Sequence, residues 1–531
     1  MHALRRIGSY GVLLCAIALA VGCGGGQHGG SGGAGDIAPP TITIETPTTG
    51  PTYETDHTPI TVAGTATGAV SIARVTWHND TTGDSGLGQG TDSWSASIPL
   101  AVGTNLITVT AHDPSGRQGQ AALMVTVRPG SLKAWGHNGW GQVGDGTMED
   151  RVLPVDVIGL SQVIDIAASD NHTVALRVDG TVWTWGNNFA GQLGDGTQID
   201  RPFPGQVVDL GDPSGYLTGV IDVAAGPNYG NHTIALKADG TLRAWGSNWW
   251  GQCGDGTIGN IKLEPIQVLD PGDPSGYLTG VAAITAGDVY TGALKRDGTA
   301  WSIGGSTEGV HGDGTTESRS LPVQVVDLAD PTGYLQGIEQ ISGTGRHVLA
   351  LMSDGTVRAW GRNANGQLGI GQWTWSSLVP VPVVDPTDPS GVLTGVTAVA
   401  AGSDHSLALL QDGTVRSWGH GQFGQLGNDD TPSWQLTPVP VLDPSDATGL
   451  LQGVIAIAAG EVHSMAILIQ GDVKAWGDNF AGQIGDGTRD NMRLTPVHVL
   501  DPADPSGFLT GVSAIAAGYH TVALRNFSSQ G

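Results

Sequence analysis

The chain has little charge, because only 14% of its 531 residues are Asp, Glu, Lys or Arg. Basic residues are scarcer still, with 23 Lys and Arg against 49 Asp and Glu, which gives a net charge of -26 at pH 7. A surface of this sign repels phosphate groups. The composition therefore argues against binding to nucleic acid or to an anionic membrane surface.

Cysteine is almost absent, with only Cys15, Cys23 and Cys253 in the sequence. A chain that begins at Cys23 would have one internal thiol and no internal disulfide. Cys253 replaces the Leu of a repeated glycine-rich loop, so we expect it to pack as a small apolar side chain.

The N-terminal segment has the pattern of an export signal. Two arginines precede an apolar run over residues 11–22 that is too short to span a bilayer as a mature helix. The run ends in Ala-Val-Gly-Cys23, which resembles the bacterial lipobox and implies that Cys23 is lipidated; ordinary cleavage nearby is the alternative. Residues 24–35 are mostly Gly and Ser, which favours a flexible tether over residues 23–40. We therefore expect an exported lipoprotein of the bacterial outer membrane or cell surface.

Residues 41–128 contain six short runs of alternating apolar and polar residues, separated by clusters of Gly, Pro, Asp and Asn. This pattern predicts a small β-sandwich. It resembles the bacterial immunoglobulin-like modules of exported proteins. No chemistry is visible in this part of the chain, and a spacer is the favoured interpretation.

Glycine is abundant, with 85 residues, and much of it belongs to a repeat. The stretch TVWTWGNNFAGQLGDGT, residues 181–197, is one of seven related copies, which are spaced by 50 to 60 residues. Their tryptophans are Trp135, Trp185, Trp245, Trp301, Trp360, Trp418 and Trp476. A period of this size indicates a repeat architecture.

Each repeat contains four strand signals, and Asp-Gly turns favour tight hairpins between two of them. Seven such units over residues 131–527 predict an all-β protein, a seven-bladed β-propeller that follows the small β-sandwich. We expect the seven tryptophans to fill the wedges between blades and the small residues of the VIDIAAS-type runs to line the axis. The first WG strand (132–136) and the last HTVAL strand (520–525) lack partners of their own, so we expect them to pair and close the ring.

With WG, GQLG and GDGT at this spacing, the region resembles the regulator of chromosome condensation repeat family, whose members form seven-bladed propellers. Two copies depart from the motif, at residues 304–312 and 369–371. The resemblance implies guanine-nucleotide exchange on a small GTPase as an alternative activity, but an export signal would place the chain outside the compartment of such a partner. The resemblance therefore carries the fold and not that activity. Secreted bacterial propellers of the family, some of which inhibit enzymes by binding them, are the nearer analogy.

One histidine recurs per repeat, and Tyr290 takes its place in the remaining repeat; the histidines are His172, His232, His347, His405, His463 and His520. One per blade is too sparse to share a metal ion, so we expect a structural hydrogen-bonding role. The aspartates of the GDGT loops are also one per blade, which suits turn formation better than acid–base catalysis. They are Asp145, Asp195, Asp255, Asp313 and Asp486. We predict no catalytic residue, no metal and no cofactor, and so no enzyme. Calcium binding stays open for the repeated loops with the sequence Asp-Pro-Ser-Gly, as at residues 212–215, which we call the DPSG loops.

Strand alternation places the glycine loops and the short loops before each histidine on one face. Aromatic residues gather beside these loops: Trp140, Phe189, Trp249, Trp250, Trp373, Trp375, Phe423, Trp434 and Phe480. Packing inside the propeller is the alternative role for them. Exposed, they suit protein contacts or stacking on sugar rings. The sequence therefore predicts a monomeric envelope lipoprotein that presents this face to a protein or glycan partner, with a GTPase regulator or a carbohydrate-active enzyme as the alternatives.

The first testable prediction concerns Cys23. We expect mass spectrometry of the mature protein to find Cys23 at the N-terminus with lipid attached, because the Ala-Val-Gly-Cys sequence precedes a glycine tether. The Gly that follows the cysteine resembles the outer-membrane sorting pattern of diderm lipoproteins. An unmodified N-terminus downstream of Cys23 would contradict the prediction.

Overall fold

The structure, a computed structural model, describes residues 38–55, 60–101, 103–127, 131–227, 230–431 and 433–525. The predicted export signal and Cys23 lie outside these residues. The chain divides into two compact units, Met1–Val127 and Arg128–Gly531. Strands and loops make up all the described residues, and no helix among them could cross a membrane. The all-β class is thereby confirmed.

The first unit contains two sheets. Its strands are β1 (Thr41–Ile42), β2 (Thr52–Thr55), β3 (Ile60–Thr67), β4 (Arg74–Asn79), β5 (Ser85–Leu87), β6 (Gln89–Gly90), β7 (Ser93–Ile98), β8 (Gly103–His112) and β9 (Gln118–Val127). One sheet has the order β1-β3-β7-β6, and the other has the order β2-β9-β8-β4-β5. Both contribute to one buried apolar cluster that includes Val62, Trp94, Ile107 and Val125. The six predicted runs all contain strands, and the short strands β2, β5 and β6 were missed because they show no clear alternation.

The second unit consists of seven four-stranded sheets. The first strands in the chain are β10 (Ser131–Gly136), β11 (Arg151–Asp156), β12 (Val163–Ala168), β13 (His172–Arg177), β14 (Val182–Gly186), β15 (Arg201–Gln206), β16 (Val220–Ala225), β17 (His232–Lys237), β18 (Leu242–Asn248), β19 (Asn260–Gln267), β20 (Val281–Ala286), β21 (Tyr290–Lys295), β22 (Ala300–Gly304) and β23 (Arg319–Gln324). The others are β24 (Ile338–Ser342), β25 (His347–Met352), β26 (Val357–Arg362), β27 (Ser376–Pro382), β28 (Val396–Ala401), β29 (His405–Leu410), β30 (Val415–Gly419), β31 (Gln435–Pro440), β32 (Val454–Ala459), β33 (His463–Leu468), β34 (Val473–Asp478), β35 (Met492–His498), β36 (Val512–Ala517) and β37 (His520–Arg525).

The seven sheets form a circle. Six of them use four consecutive strands, from β12–β15 to β32–β35, and the seventh has the order β11-β10-β37-β36. Each inner strand packs beside the inner strand of the next sheet, and β36 packs beside β12. Within the seventh sheet, Leu132 lies opposite Leu524 and Gly136 lies opposite His520. The predicted pairing of the two ends of the repeat region is therefore confirmed.

Tryptophan fills the space between neighbouring sheets at six of the seven junctions. Trp245, for example, is fully buried in a cluster with Val174 and Leu176 of the preceding sheet. The tryptophans buried in this way are Trp135, Trp185, Trp245, Trp360, Trp418 and Trp476.

Trp301 does not belong to this set, and its predicted place in the wedge was wrong. It is only half-buried, with Lys295 Nζ 4.2 Å from its ring centroid. Ile303 stands opposite Thr291 in the sheet, the register position of Trp185 opposite Thr173. The cause lies in the local sequence, where Ile303 rather than a tryptophan directly precedes Gly304.

Small side chains line the axis of the ring, as predicted. A channel of about 260 Å³ runs between the inner strands, and most of its lining residues are Ala or Val, such as Ala168, Ala225 and Ala401. Gln340 is an exception: its amide accepts the Val399 N–H at 3.0 Å and donates to the Val399 carbonyl at 3.2 Å. The inner strands therefore approach closely, with one side-chain amide bridging two of them.

Strand β37 supplies the test of closure. We expect deletion of residues 519–531 to destabilise the second unit by more than about 5 kcal/mol, because several buried apolar side chains are lost along with all of the β37 pairing. Thermal melting of this variant should be compared with melting of a variant that lacks only residues 526–531, which leaves β37 intact. Equal melting temperatures for both variants and the parent would contradict the role of β37.

Candidate binding face

Five of the seven glycine loops are organised around an asparagine two residues after the WG glycine, and Ser306 and Gly421 take its position in the other two. Asn188 accepts the Leu193 N–H at 3.0 Å and donates to Asp195 Oδ1 at 3.1 Å. Asp195 Oδ1 also accepts the N–H and O–H of Thr197, and its Oδ2 lies 3.1 Å from Arg201. Equivalent contacts hold the loops of Asn138, Asn248 and Asn479. The GDGT aspartates are therefore loop formers, as predicted, whereas the asparagine was missed.

The electrostatics of these loops follow from the same contacts. Burial alone would raise the pKa of Asp145, but hydrogen bonds from Thr147 and Arg151 hold it below its usual value. Asp313 behaves in the same way, with hydrogen bonds from Arg319 and Thr315. The carboxylates are thus kept ionised by groups within their own loops, which leaves them poorly suited to accept a proton in catalysis.

The glycine loop of one sheet touches the short loop before the histidine of the next sheet. Gln142 Nε2 donates to the Asp170 carbonyl at 3.2 Å, and Gln367 Nε2 donates to Asp404 Oδ1 at 2.9 Å. These two kinds of loop therefore share one side of the ring, as predicted, and we call it the glycine-loop face. The Asp-Gly turns and DPSG loops meet on the other side, where the Val220 N–H donates to the Gly180 carbonyl. We call that side the DPSG face.

The recurring histidines are buried and link one sheet to the next. His172 Nε2 lies 3.0 Å from Thr233 Oγ1, and His405 Nε2 lies 2.8 Å from Ser464 Oγ. The same contact is made by His232, His347, His463 and His520, and the last of these reaches Thr173 in the second sheet of the circle. The structural role predicted for these histidines is confirmed.

The hydroxyl in each contact fixes the position of the histidine proton. Thr233 Oγ1 donates its one hydrogen to the Gln192 carbonyl at 2.8 Å, so it accepts from His172, which must carry its proton on Nε2. The Trp245 indole N–H donates to the same carbonyl at 2.9 Å. At five of the junctions, one main-chain oxygen of the glycine loop therefore receives two donors from the next sheet.

The histidine–hydroxyl contact is missing at the junction between the β20–β23 sheet and the β24–β27 sheet. Tyr290 replaces the histidine, Val348 replaces the hydroxyl residue, and Val310 replaces the glutamine. Tyr290 instead donates its hydroxyl to the His347 carbonyl at 3.2 Å, and burial raises its pKa. The longer tyrosine thus reaches past Val348 and keeps one polar contact across the junction.

All nine aromatic residues of the candidate face are exposed. Their exposed fractions run from 39% for Phe423 to 76% for Phe189, whereas the wedge tryptophans are fully buried. These exposed fractions argue against the alternative role, packing inside the propeller. They are spread around six of the seven sheets, and the β20–β23 sheet has Thr307 and Glu308 in their place. The largest groups, Trp249 with Trp250 and Trp373 with Trp375, are on the two sheets that flank it.

Charged side chains bridge the sheets between these two groups. Arg346 Nε lies 2.9 Å from Asp288 Oδ2, and Arg362 Nη1 lies 3.1 Å from Glu308 Oε1. Arg346 also reaches Glu308 at 3.5 Å, and Arg362 reaches Asp404 at 3.6 Å. Burial of Arg346 is more than offset by Asp288, so the pKa of this guanidinium is raised. We call these five residues the arginine bridge; they connect three consecutive sheets, and sequence reasoning did not find them.

A second set of exposed aromatic residues lies on the DPSG face. Tyr216 and Tyr277 are each 43% exposed, Tyr334 is 42% exposed and Phe508 is 38% exposed. Sequence analysis passed over them, although each follows a repeated Pro-Ser-Gly or Pro-Thr-Gly turn. The DPSG aspartates bond within their loops; Asp212, for example, accepts from Ser214 and Thr218. Among the described residues, no three His, Cys, Asp or Glu side chains are grouped to hold a metal ion.

Comparison with known protein families gives several matches in the second unit. A model described as "RCC1-like domain" matches residues 270–529. Models described as "Regulator of chromosome condensation (RCC1) repeat" match residues 129–176 and 179–236, and residues 163–192 and 220–254. Together the matches cover residues 129–254 and 270–529, which include every strand of the circle except β19.

Individual proteins show the same similarity. The chain is 30% identical over 361 residues to the ultraviolet-B receptor UVR8 of Arabidopsis thaliana, across 67% of this chain and 74% of that protein. It is 28% identical over 376 residues to the human E3 ubiquitin-protein ligase HERC2, across 68% of this chain but only 7% of HERC2.

Two solved structures have a similar fold. Prp20p from Saccharomyces cerevisiae, studied with its binding to Gsp1p and histones, has a TM-score of 0.62 at 21% identity, over 76% of this chain and 93% of its own. Human WBSCR16 has a TM-score of 0.60 at 24% identity, over 75% of this chain and 98% of its own. At these identities the likeness concerns the fold alone.

The buried histidines predict how stability depends on pH. Burial lowers the pKa of His232, His347 and His463 to about 4. Burial, together with neighbouring histidines, lowers the pKa of His172, His405 and His520 to about 3. Because an unfolded histidine binds a proton near pH 6.5, the stabilisation is complete above that pH and is lost as the pH falls. Each such histidine removes about 2 kcal/mol from the free energy of unfolding between pH 7 and pH 5.

Urea unfolding at pH 7, 6 and 5 measures this effect. The lowered aspartate pKa values act only below pH 4, so they do not contribute in this window. We expect His405→Gln, whose amide can still donate to Ser464, to lose less stability on acidification than the parent. The difference in the lost free energy of unfolding should equal the contribution of one histidine. Equal unfolding free energies at pH 7 and pH 5 would contradict the prediction.

Proposed function

We propose a function for this chain from one premise: it belongs to the regulator of chromosome condensation (RCC1) repeat family. We propose that the seven sheets are the blades of a seven-bladed β-propeller whose glycine-loop face binds a protein partner. The observation that carries the proposal is the separation of two aromatic sets, buried tryptophans that hold the blades together and exposed aromatic residues beside the glycine loops. Rigid, exposed tryptophans are typical anchors of protein interfaces.

The face is well suited to rigid recognition. Its loops are tied internally by asparagine and aspartate, and neighbouring blades are tied by buried histidine contacts. Several exposed aromatics are themselves held in place; the Trp373 indole N–H, for example, donates to the Ala364 carbonyl at 3.0 Å. A partner therefore meets side chains that lose little conformational entropy on binding.

We further propose that the propeller works at the bacterial cell envelope. The supporting observations are from the sequence alone: an export signal, a lipobox-like cysteine at position 23 and a glycine-rich tether. In this proposal, the two sheets of the first unit form an immunoglobulin-like β-sandwich that serves as a spacer between the lipid anchor and the propeller. We assign no catalytic residues, no metal and no cofactor.

Guanine-nucleotide exchange on a small GTPase remains the second candidate. It is supported by likeness to Prp20p, which binds Gsp1p, but at 21% identity that likeness concerns the fold. A protein partner outside the cytoplasm agrees better with the export signal. A glycan partner is the remaining alternative for the same aromatic face.

Two matched triple variants test which face binds. We expect Trp249→Ala, Trp373→Ala and Trp375→Ala together to abolish capture of a stoichiometric protein partner from envelope extract, because these side chains are 61%, 55% and 59% exposed. The control combines Tyr216→Ala, Tyr277→Ala and Tyr334→Ala, which removes three exposed rings from the DPSG face. Melting temperatures of both variants establish that the propeller is folded.

The outcomes separate the alternatives. Loss of capture in the tryptophan variant alone supports the proposal. Loss of capture in the tyrosine variant alone would place the site on the DPSG face and contradict the proposal. Capture of a glycan without any protein would also contradict the proposal. Unfolding of the tryptophan variant would show that these tryptophans are needed for folding, which also contradicts the proposal.

A further inference from the structure

The arginine bridge and its flanking tryptophans form one continuous strip across the glycine-loop face. At one end, Trp250 packs beside Gly305, since a Cβ at Gly305 would lie only 3.2 Å from the Trp250 side chain. At the other end, the Arg362 guanidinium lies 5.7 Å from the centroid of the Trp375 ring. Between them, Glu308 contacts Arg362 directly. The strip therefore has an aromatic group at each end and ion pairs in the middle.

Negative charge exceeds positive charge along this strip. The bridge contains the carboxylates Asp288, Glu308 and Asp404 but only the guanidiniums Arg346 and Arg362. Both arginines are already paired with carboxylates, so neither is left to attract an anion. The strip as a whole favours a ligand that brings positive charge.

Carboxylates of loops on the same face also act on Tyr519. Tyr519 lies on the loop before His520, and its pKa is raised by burial and then by Glu461, Asp170 and Asp288. Carboxylates of three different loops therefore act on one point of the face. A positively charged side chain that reached this region would be attracted by all of them.

The flanking tryptophans suit the same ligand. Trp249, Trp250, Trp373 and Trp375 are 43% to 61% exposed, and the face of an indole ring attracts Lys and Arg side chains. Arg362 makes this contact with Trp375 inside the protein itself. A partner cation would add the same contact on ring surface that stays open to solvent.

Resting on the proposed function, we propose that the strip from Trp250 to Trp375 is a docking surface for a protein segment that carries Lys or Arg side chains. The partner's cations would stack on the exposed tryptophans and approach the surplus carboxylates of the arginine bridge. A phosphate-bearing or otherwise anionic ligand would meet the net charge of -26 and the unfavourable field of this surface. An uncharged glycan could stack on the rings but would bring no positive charge to the surplus carboxylates of the arginine bridge.

Two synthetic peptides probe the chemistry. Fluorescence anisotropy of the purified full chain should compare a labelled nine-residue peptide of alternating Lys and Gly with a matched peptide of alternating Glu and Gly. We expect saturable binding of the first peptide, weakened by salt, and no binding of the second. Binding of the Glu peptide at equal strength, or displacement of the Lys peptide by cellohexaose, would overturn the inference.

Variants then locate the binding. We expect Asp404→Asn and Trp375→Ala each to weaken binding of the Lys peptide about three- to fivefold, the effect of losing one exposed charge or cation–ring contact. The matched controls are Glu149→Gln, on the same face but on a sheet outside the strip, and Tyr216→Ala, whose exposed ring lies on the DPSG face. The Debye length is about 8 Å at physiological salt, so a charge outside the strip is largely screened, and the controls should change affinity less than about 1.5-fold. Equal effects of the Asp404 and Glu149 changes would show general attraction to an acidic protein and overturn the inference.

The two proposals fail separately. If the tryptophan triple variant loses its natural partner while the Lys peptide never binds, the docking chemistry is wrong and the proposed function stands. If capture of the natural partner is unaffected by that variant, the proposed function itself is wrong, whatever the peptide does.

Discussion

The second unit depends on one main-chain oxygen per repeat, the carbonyl of the glutamine in the glycine loop. In the best-formed junctions this oxygen accepts an indole N–H and a hydroxyl O–H from the next sheet, and the hydroxyl in turn accepts a histidine N–H from the same sheet as the carbonyl. All of these groups are buried, so each would cost about 1–3 kcal/mol if left without a partner. The loops that form the binding face are thus fixed by the same contacts that hold neighbouring sheets together.

The local and periodic features of this fold were predictable from the sequence. Alternation and Asp-Gly turns located the strands, and the unpaired first and last strands predicted the closing pair Leu132–Leu524. For the nine aromatics beside the glycine loops, the sequence left exposure and packing as alternatives, and the structure shows all nine exposed. These features depend on neighbouring residues or on counting repeats, which a sequence displays directly.

Features that depend on register or on contacts between repeats were not predictable in this way. Trp301 has the right spacing from other tryptophans, yet it sits two positions from the wedge because Gly304, not the tryptophan, sets the end of the strand. Five of the histidine–hydroxyl contacts join residues 58 to 61 positions apart, as in His172 and Thr233, and the contact of His520 with Thr173 joins residues 347 positions apart. The arginine bridge draws on three repeats, and no single copy of the motif shows that its charges meet.

The junction between the β20–β23 and β24–β27 sheets differs from the others both inside and outside. Inside, Val310 and Val348 remove the polar groups that other junctions share, and Tyr290 restores one contact. Outside, Arg346 crosses the same junction to Asp288 and Glu308. Polar contacts have moved from the core to the surface at this junction, and the proposed docking strip lies above it. A ligand bound there would strengthen the junction that lacks the histidine–hydroxyl contact.

Closure by β10 and β37 has a consequence for the order in which the molecule can assemble. The two strands that complete the seventh sheet are separated by almost the whole length of the ring, from Ser131 to Arg525. Until the last of these residues is available, β10 and β12 each lack a neighbour and the circle stays open. The circle can therefore close only after the strands of the other six sheets have all been synthesised.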